Sequence, residues 1–307
     1  MSKSHGDLNR RAIRRLYVGK LLRAARGVLI IVCLCAIASV FVCVCAQETP
    51  RSTSRGDNAL TPIQRQIENE RERLASSNQE ERRDAVQRLG AMARPDAARV
   101  VAVALGDVSA AVRASAVRAI LSLPPVEAAP LLLPLLHDKD EFVRRETAYA
   151  LGTTRSRTAI DALVLALERD KEAGVRGASA VALGQIADAR AVPALSETVV
   201  RRVRGTGFFN RITRRKTEEN DFVRRAAAIA LGQIGSREAV PALIAALGNE
   251  RAGDDVRREA ARALGLIGDP SAIPALRAVL TARDPFLSQL AYEILRKLDP
   301  ANATRPT

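Results

Sequence analysis

The chain has 307 residues, 47% apolar and 27% charged, which is too apolar for a disordered protein and ordinary for a folded one. Aromatic residues are only 3% and Trp is absent, so a core rich in Ala, Leu and Val fits closely packed helices better than a sheet sandwich. The net charge of +14 points at first to nucleic acid, but it is concentrated in residues 1–26 and 199–220; the remainder is close to neutral, which disfavours that reading.

Residues 1–26 carry Lys3, Arg10, Arg11, Arg14, Arg15, Lys20, Arg23 and Arg26 against Asp7. GVLIIVCLCAIASVFVCVCA (27–46) follows, with no charge, long enough to cross a bilayer as a helix. The basic flank predicts a cytoplasmic N-terminus and a translocated body. Two outcomes remain open: an uncleaved single-pass membrane anchor, or a signal peptide cleaved after Val44-Cys45-Ala46, leaving a secreted or periplasmic body. All four cysteines, Cys33, Cys35, Cys43 and Cys45, fall in this apolar segment and read as small filler rather than metal ligands. Residues 47–61 form a polar linker, in which Arg55-Gly56-Asp57 is a chance tripeptide. Residues 299–307 form a tail.

From residue 62 to 298 the chain repeats itself. AAVRASAVRAIL (110–121), EFVRRETAYALG (141–152), AGVRGASAVALG (173–184), DFVRRAAAIALG (221–232) and DDVRREAARALG (254–265) share a Val-Arg and an Ala-Leu-Gly ending. EERRDAVQRLG (80–90) is a fainter copy ahead of them, and PFLSQLAYEIL (285–295) ends the series. Between them stand RAVPALSETV (190–199), EAVPALIAAL (238–247) and SAIPALRAVL (271–280). Apolar residues recur at three and four, so each unit is two short amphipathic helices; the first has Pro in its first turn and the second follows an Asp-containing turn. Seven pairs are expected, with Thr61-Pro62 opening the first. Pro134, four residues after Pro130, should kink its helix. Gly152, Gly184, Gly232 and Gly265 imply close helix approach.

The pattern Asp…Val-Arg-x-x-Ala-x-x-Ala-Leu-Gly-x-Ile-Gly-Asp…Ala-x-Pro-Ala-Leu resembles HEAT repeats of the short phycobilisome lyase-like type. The resemblance implies an all-α, right-handed α-solenoid that binds other macromolecules. Arg113, Arg144, Arg176, Arg224 and Arg257 lie near helix N-termini, where a cation is unfavourable unless a carboxylate accompanies it. Asp107, Asp138, Asp170, Asp221 and Asp255 (or Asp254) are nearby, and an Arg–Asp ladder between repeats is expected, as the resemblance also implies.

No catalytic, cofactor or metal constellation emerges. His5 lies in the N-terminal segment, and His137 sits in a turn beside Asp138, Asp140 and Glu141, where solvation is the simpler reading. Deoxyhypusine hydroxylases, a HEAT-type family, need His-Glu pairs that this chain lacks. Gly205-Thr206-Gly207 lacks the ending of a phosphate loop. A non-enzymatic scaffold for protein–protein interaction is therefore expected. The alternatives are a phycobilin lyase-like enzyme or cofactor chaperone, for which no residue can be assigned, and a nucleic-acid-binding solenoid.

VVRRVRGTGFFNRITRRKTEEN (199–220) breaks the repeat as an insertion at 201–217, between the two helices of one unit. It carries Arg201, Arg202, Arg204, Phe208, Phe209, Arg211, Arg214, Arg215 and Lys216. Flanking units offer Gly177, Ala178 and Val181, then Arg225, Ala226 and Ile229, as a shallow apolar patch. Either Phe208 and Phe209 fold back over Val181 and Ile229, or loop and patch together receive a partner, with aromatic anchors and arginines facing an acidic protein or anionic lipid.

Overall fold

The computed structural model describes residues 60–204 and 216–302. The apolar segment 27–46 lies outside them; among the described residues no helix is long and apolar enough to cross a membrane. Leu60 onward forms one unit of stacked helix pairs.

Among the described residues there are seven pairs. They are α1 (Pro62–Arg73) with α2 (Gln79–Ala91), α3 (Pro95–Val101) with α4 (Ala110–Ala119), and α5 (Pro125–Leu132) with α6 (Glu141–Thr154). Next come α7 (Ile160–Arg169) with α8 (Ala173–Ile186), and α9 (Val192–Val200) with α10 (Asp221–Ile234). The last are α11 (Val240–Gly248) with α12 (Asp254–Ile267), and α13 (Ile273–Ala278) with α14 (Pro285–Leu298). Local chemistry fixes the ends. Thr61 opens α1 with a reciprocal capping box: its hydroxyl accepts from the Gln64 N–H (3.3 Å), and its own N–H donates to Gln64 Oε1 (2.9 Å). Asp140, Asn220 and Asp284 cap α6, α10 and α14 by accepting from the N–H two residues on. Gly235 and Gly268 close α10 and α12 in the left-handed region at φ 73° and 71°. Arg155 and Ala187 take that conformation without being glycine, at φ 52° and 55°.

The expected kink at Pro134 appears instead as a change of winding. The α-helix ends at Leu132 and Leu133–His137 continues as a 3-10 helix, so the missing N–H falls where no α-helical bond is required.

The core is built from Ala, Leu and Val. Leu163 and Leu167 of α7, Val175 and Leu183 of α8, and Leu231 of α10 are fully buried. Each contributes roughly 1.5–3 kcal/mol relative to an exposed side chain. The second helices pack closely because small residues meet. A Cβ added at Gly152 would stand 2.6 Å from the Ala182 Cα, and one at Gly184 would stand 2.8 Å from the Ala230 Cα. The glycine that costs helix propensity is thus the residue that lets one pair seat on the next.

Candidate interaction surface

The Arg–carboxylate ladder is present, with changes of partner. Arg113 Nε and Nη2 donate to both oxygens of Asp138 in the next pair (2.7 Å each). Arg144 does the same to Asp170 (2.7 and 3.1 Å). In each, Nη1 donates to the carbonyls six and five residues upstream: Asp107 and Val108 for Arg113, Asp138 and Lys139 for Arg144. Each arginine therefore ties its own turn to the following repeat. Its position needs that anion, because an unpaired guanidinium at a helix N-terminus opposes the dipole. The faint first copy belongs to the ladder: Arg82 grips Asp107 at 2.7 and 3.0 Å.

Three expected rungs differ. Arg176 pairs with Glu219 (3.0 and 2.6 Å) and not with Asp221, which is exposed and only approaches Arg224 at 3.5 Å. The insertion moves the turn, so the carboxylate comes one residue nearer to the shared Val and needs an extra methylene to reach. Arg224, fully buried, donates through Nε to the Val199 carbonyl of its own pair (3.0 Å). Arg257 likewise turns to the Leu247 carbonyl (3.0 Å) and not to Asp255. Asp255 is met by Arg258 (3.3 Å) and Arg225 (3.7 Å). Hydrogen bonding from Arg82 holds the Asp107 carboxyl below the usual range, and hydrogen bonding from Arg258 does so for Asp284. At Asp138 burial pushes upward, but the Arg113 guanidinium and the Asp140 N–H prevail and the net direction is down.

The insertion leaves the stack through a short antiparallel ribbon, β1 (Arg202–Arg204) and β2 (Lys216–Glu218), in which Val203 faces Thr217. Its root is clamped. Glu219, whose side chain is fully buried, is held by Arg176, and its N–H donates to the Arg201 carbonyl (3.0 Å). Arg201 is half-buried and donates to the carbonyls of Leu167 and Glu168 at the end of α7 (3.3 and 2.5 Å). Arg201 is thus part of the attachment of the ribbon. Arg202 and Arg204 lie on β1 and Lys216 on β2. Phe208, Phe209, Arg211, Arg214 and Arg215 fall outside the described residues.

The apolar patch also differs from the expectation. Gly177, Ala178 and Ala226 are buried. The cover over Gly177 is the ring of Phe222, at the start of α10, which occupies the space a Gly177 side chain would need. Val181 is half-buried, Ile229 is exposed, and Arg225 is half-buried beside Asp255. Tyr149, Val181, Ile229 and Arg262 occupy one register on the successive helices α6, α8, α10 and α12. One turn on, Gln185 and Gln233 are exposed and rest on Gly152 and Gly184 of the preceding pairs; Leu266, also exposed, rests on Gly232. At the N-terminal end of the row Arg118 pairs with Glu146 (3.0 Å), and at the other Arg262 pairs with Glu259 (2.5 Å). The row has an apolar and amide centre between charged ends. Glu219 and Phe222 are the residues the sequence reading missed. The signal for Glu219 was its register, four residues before Val223, where three other units place Asp five before Val.

This surface offers no nucleophile–base pair. Among the described residues no group of three His, Cys, Asp or Glu side chains can hold a metal ion.

The HEAT-repeat family model matches residues 69–152, 129–204 and 211–296. No curated protein is matched by the chain. Among solved structures, that of the Escherichia coli protein YibA is similar in fold, with a TM-score of 0.53 and 21% identity over 76% of this chain and 81% of that one. The complex of CpcE and CpcF of phycocyanin lyase from Nostoc gives a TM-score of 0.45 at 22% identity, over 82% and 93% of the two chains, too low to carry an argument. The stacked helix pairs, the ladder between them and the family match over most of the chain agree: this chain belongs to the HEAT-repeat family.

Proposed function

We propose that this protein is a non-enzymatic scaffold for protein–protein interaction, exported and tethered to a membrane by residues 27–46. The observation that carries the scaffold reading is the row Tyr149, Val181, Ile229 and Arg262 along successive second helices, with Gln185, Gln233 and Leu266 one turn on. Its apolar and amide centre and charged ends suit a protein surface better than a small substrate. The ribbon supports the same reading. A two-stranded stem rooted by a buried ion pair joins the stack to a basic, aromatic-containing sequence. The tether rests on the chemistry of residues 27–46, twenty uncharged residues behind a basic flank.

The test is a pull-down from crosslinked cells of origin with three full-length forms: native, 205–215 replaced by Gly-Gly, and Val181→Glu/Ile229→Glu. Retention of helical circular dichroism is required of each. A specific partner lost from either variant supports the scaffold reading. Partner sets identical across all three would remove this surface and the insertion from it. Carbonate extraction of the membrane fraction tests the tether, which requires the chain to stay in the pellet.

A further inference from the structure

The first helices of the third and fourth pairs leave a groove of about 490 Å³ between the ends that lead into their turns. Leu136 and His137 line one side, and Ala162, Leu165 and Ala166 of α7 line the other. The sequence makes the gap. Pro134 stands where the third pair's first helix tightens into the 3-10 segment Leu133–His137, and α7 faces that segment with small side chains. Leu165 is left 38% exposed. In the next gap, between α7 and α9, the corresponding end is closed from within. Arg201 follows Val192, the first residue of α9, by the same interval as Arg169 follows Ile160, the first residue of α7, and it donates to the carbonyls of Leu167 and Glu168. Arg169 makes no such bond. Its guanidinium and the Lys171 ammonium, both on the groove wall, are exposed and have neither a hydrogen bond nor an ion pair among the described residues. The two acids on the wall do not answer them. Both oxygens of Asp138 are taken by Arg113, and both oxygens of Asp170 by Arg144. The groove therefore has an apolar floor and a positive rim whose charge is unpaired.

We propose that this groove docks a segment of a partner protein in which a leucine-sized aliphatic residue is followed by a carboxylate. The aliphatic side chain covers Leu165, Ala162 and Ala166, and the carboxylate is received by Arg169 and Lys171. The floor and the rim together set the class. A nucleic-acid or phosphate ligand would meet the cations and leave Leu165 in water. An uncharged apolar segment would cover the floor and desolvate the rim with its charge unpaired. The inference adds a second contact face to the scaffold reading and depends on neither the ribbon nor the second-helix row.

The full chain, held in dodecyl maltoside, is titrated into three fluorescein-labelled, C-terminally amidated peptides with anisotropy as the readout. They are Gly-Ser-Leu-Glu-Glu-Leu-Gly-Ser, its counterpart with Gln for each Glu, and its counterpart with Ser for each Leu. The first is expected to bind about tenfold tighter than either of the others. Arg169→Gln should bring the Glu and Gln peptides level and keep the preference for Leu over Ser. Leu165→Ser should do the reverse. Both positions are exposed, so each variant should keep the native helical circular dichroism. Val181→Glu/Ile229→Glu should bind all three peptides as the native chain does. Equal binding of the three by the native chain, or a preference that survives its matching substitution, overturns the proposal. Loss of binding in the Val181→Glu/Ile229→Glu chain also overturns it, because the peptide would then sit on the second helices. Octanoate tests a free amphiphile as the source. Displacement only above about a hundredfold excess supports a protein segment, and displacement at any lower excess gives the groove to small carboxylates and overturns the docking reading. Crosslinked partners retained by a chain that shows neither preference would leave the scaffold reading standing and this one not.

Discussion

Arg144 shows how a single residue can be structural although its type invites a functional reading. It is nearly buried, grips both oxygens of Asp170 and ties down the Asp138 and Lys139 carbonyls. Arg144→Ala should therefore cost about 3–5 kcal/mol in urea denaturation, because it leaves Asp170 buried without a cation. The double variant Arg144→Leu/Asp170→Leu should cost less than that single change, since both charges leave together. A double variant as unstable as the single would show that carbonyl capping, not the ion pair, dominates. The ladder also sets the acid limit. The carboxyls of Asp107, Asp138 and Asp284 titrate below their usual range in the folded chain. A depressed folded pKa adds stability that is present above the unfolded value of about 4 and is lost as pH falls through the folded value. The thermal midpoint should hold between pH 5 and 7 on this account and drop below about pH 4. Asp138→Asn should lower the neutral plateau and flatten the acid slope, and an unchanged slope would remove Asp138 from the effect.

At the scale of the element, helix ends and the ribbon root are the informative places. Ala187 ends α8 in a left-handed conformation that Gly235 and Gly268 adopt without steric cost in α10 and α12. Ala187→Gly should raise stability by about 1 kcal/mol, read as an upward shift of the denaturation midpoint. A downward shift would mean that the loss of backbone entropy outweighs the strain. Glu219 joins the ribbon to the ladder. Glu219→Gln should speed tryptic cleavage after Arg202 and Arg204 several-fold while the ellipticity of the stack stays within a few per cent. Cleavage at the native rate would show that backbone pairing alone holds the root.

At the scale of the molecule, each pair buries its apolar face only against its neighbours, so the stack behaves as a chain of nearest-neighbour couplings. The last pair closes the array. α14 buries Leu287, Ala291, Ile294 and Leu295 inward, while Gln289, Glu293, Arg296 and Lys297 are exposed. A chain ending at residue 269 would uncover the face of α12 that receives Ile294 against Gly265. It should associate, with light scattering giving a mass above that of a monomer. A monodisperse, monomeric truncation would show that α12 can serve as a cap.

The sequence by itself determined the helix pairs, their number, the cap at Thr61 and the position of the insertion. Each of these depends on local chemistry or on a period of 3.6 residues repeated about every thirty. Tertiary structure decided which carboxylate each ladder arginine reaches, because the partner belongs to another repeat and a shift of one residue redirects a guanidinium from a carboxylate to a carbonyl. So Glu219 replaces Asp221, Arg257 turns to the Leu247 carbonyl and not to Asp255, and Arg201 becomes a clamp. The same holds for Phe222, whose ring fills the space over Gly177: a side chain's reach between pairs is set by how closely the backbones stack, and that distance is fixed only when the whole array is assembled.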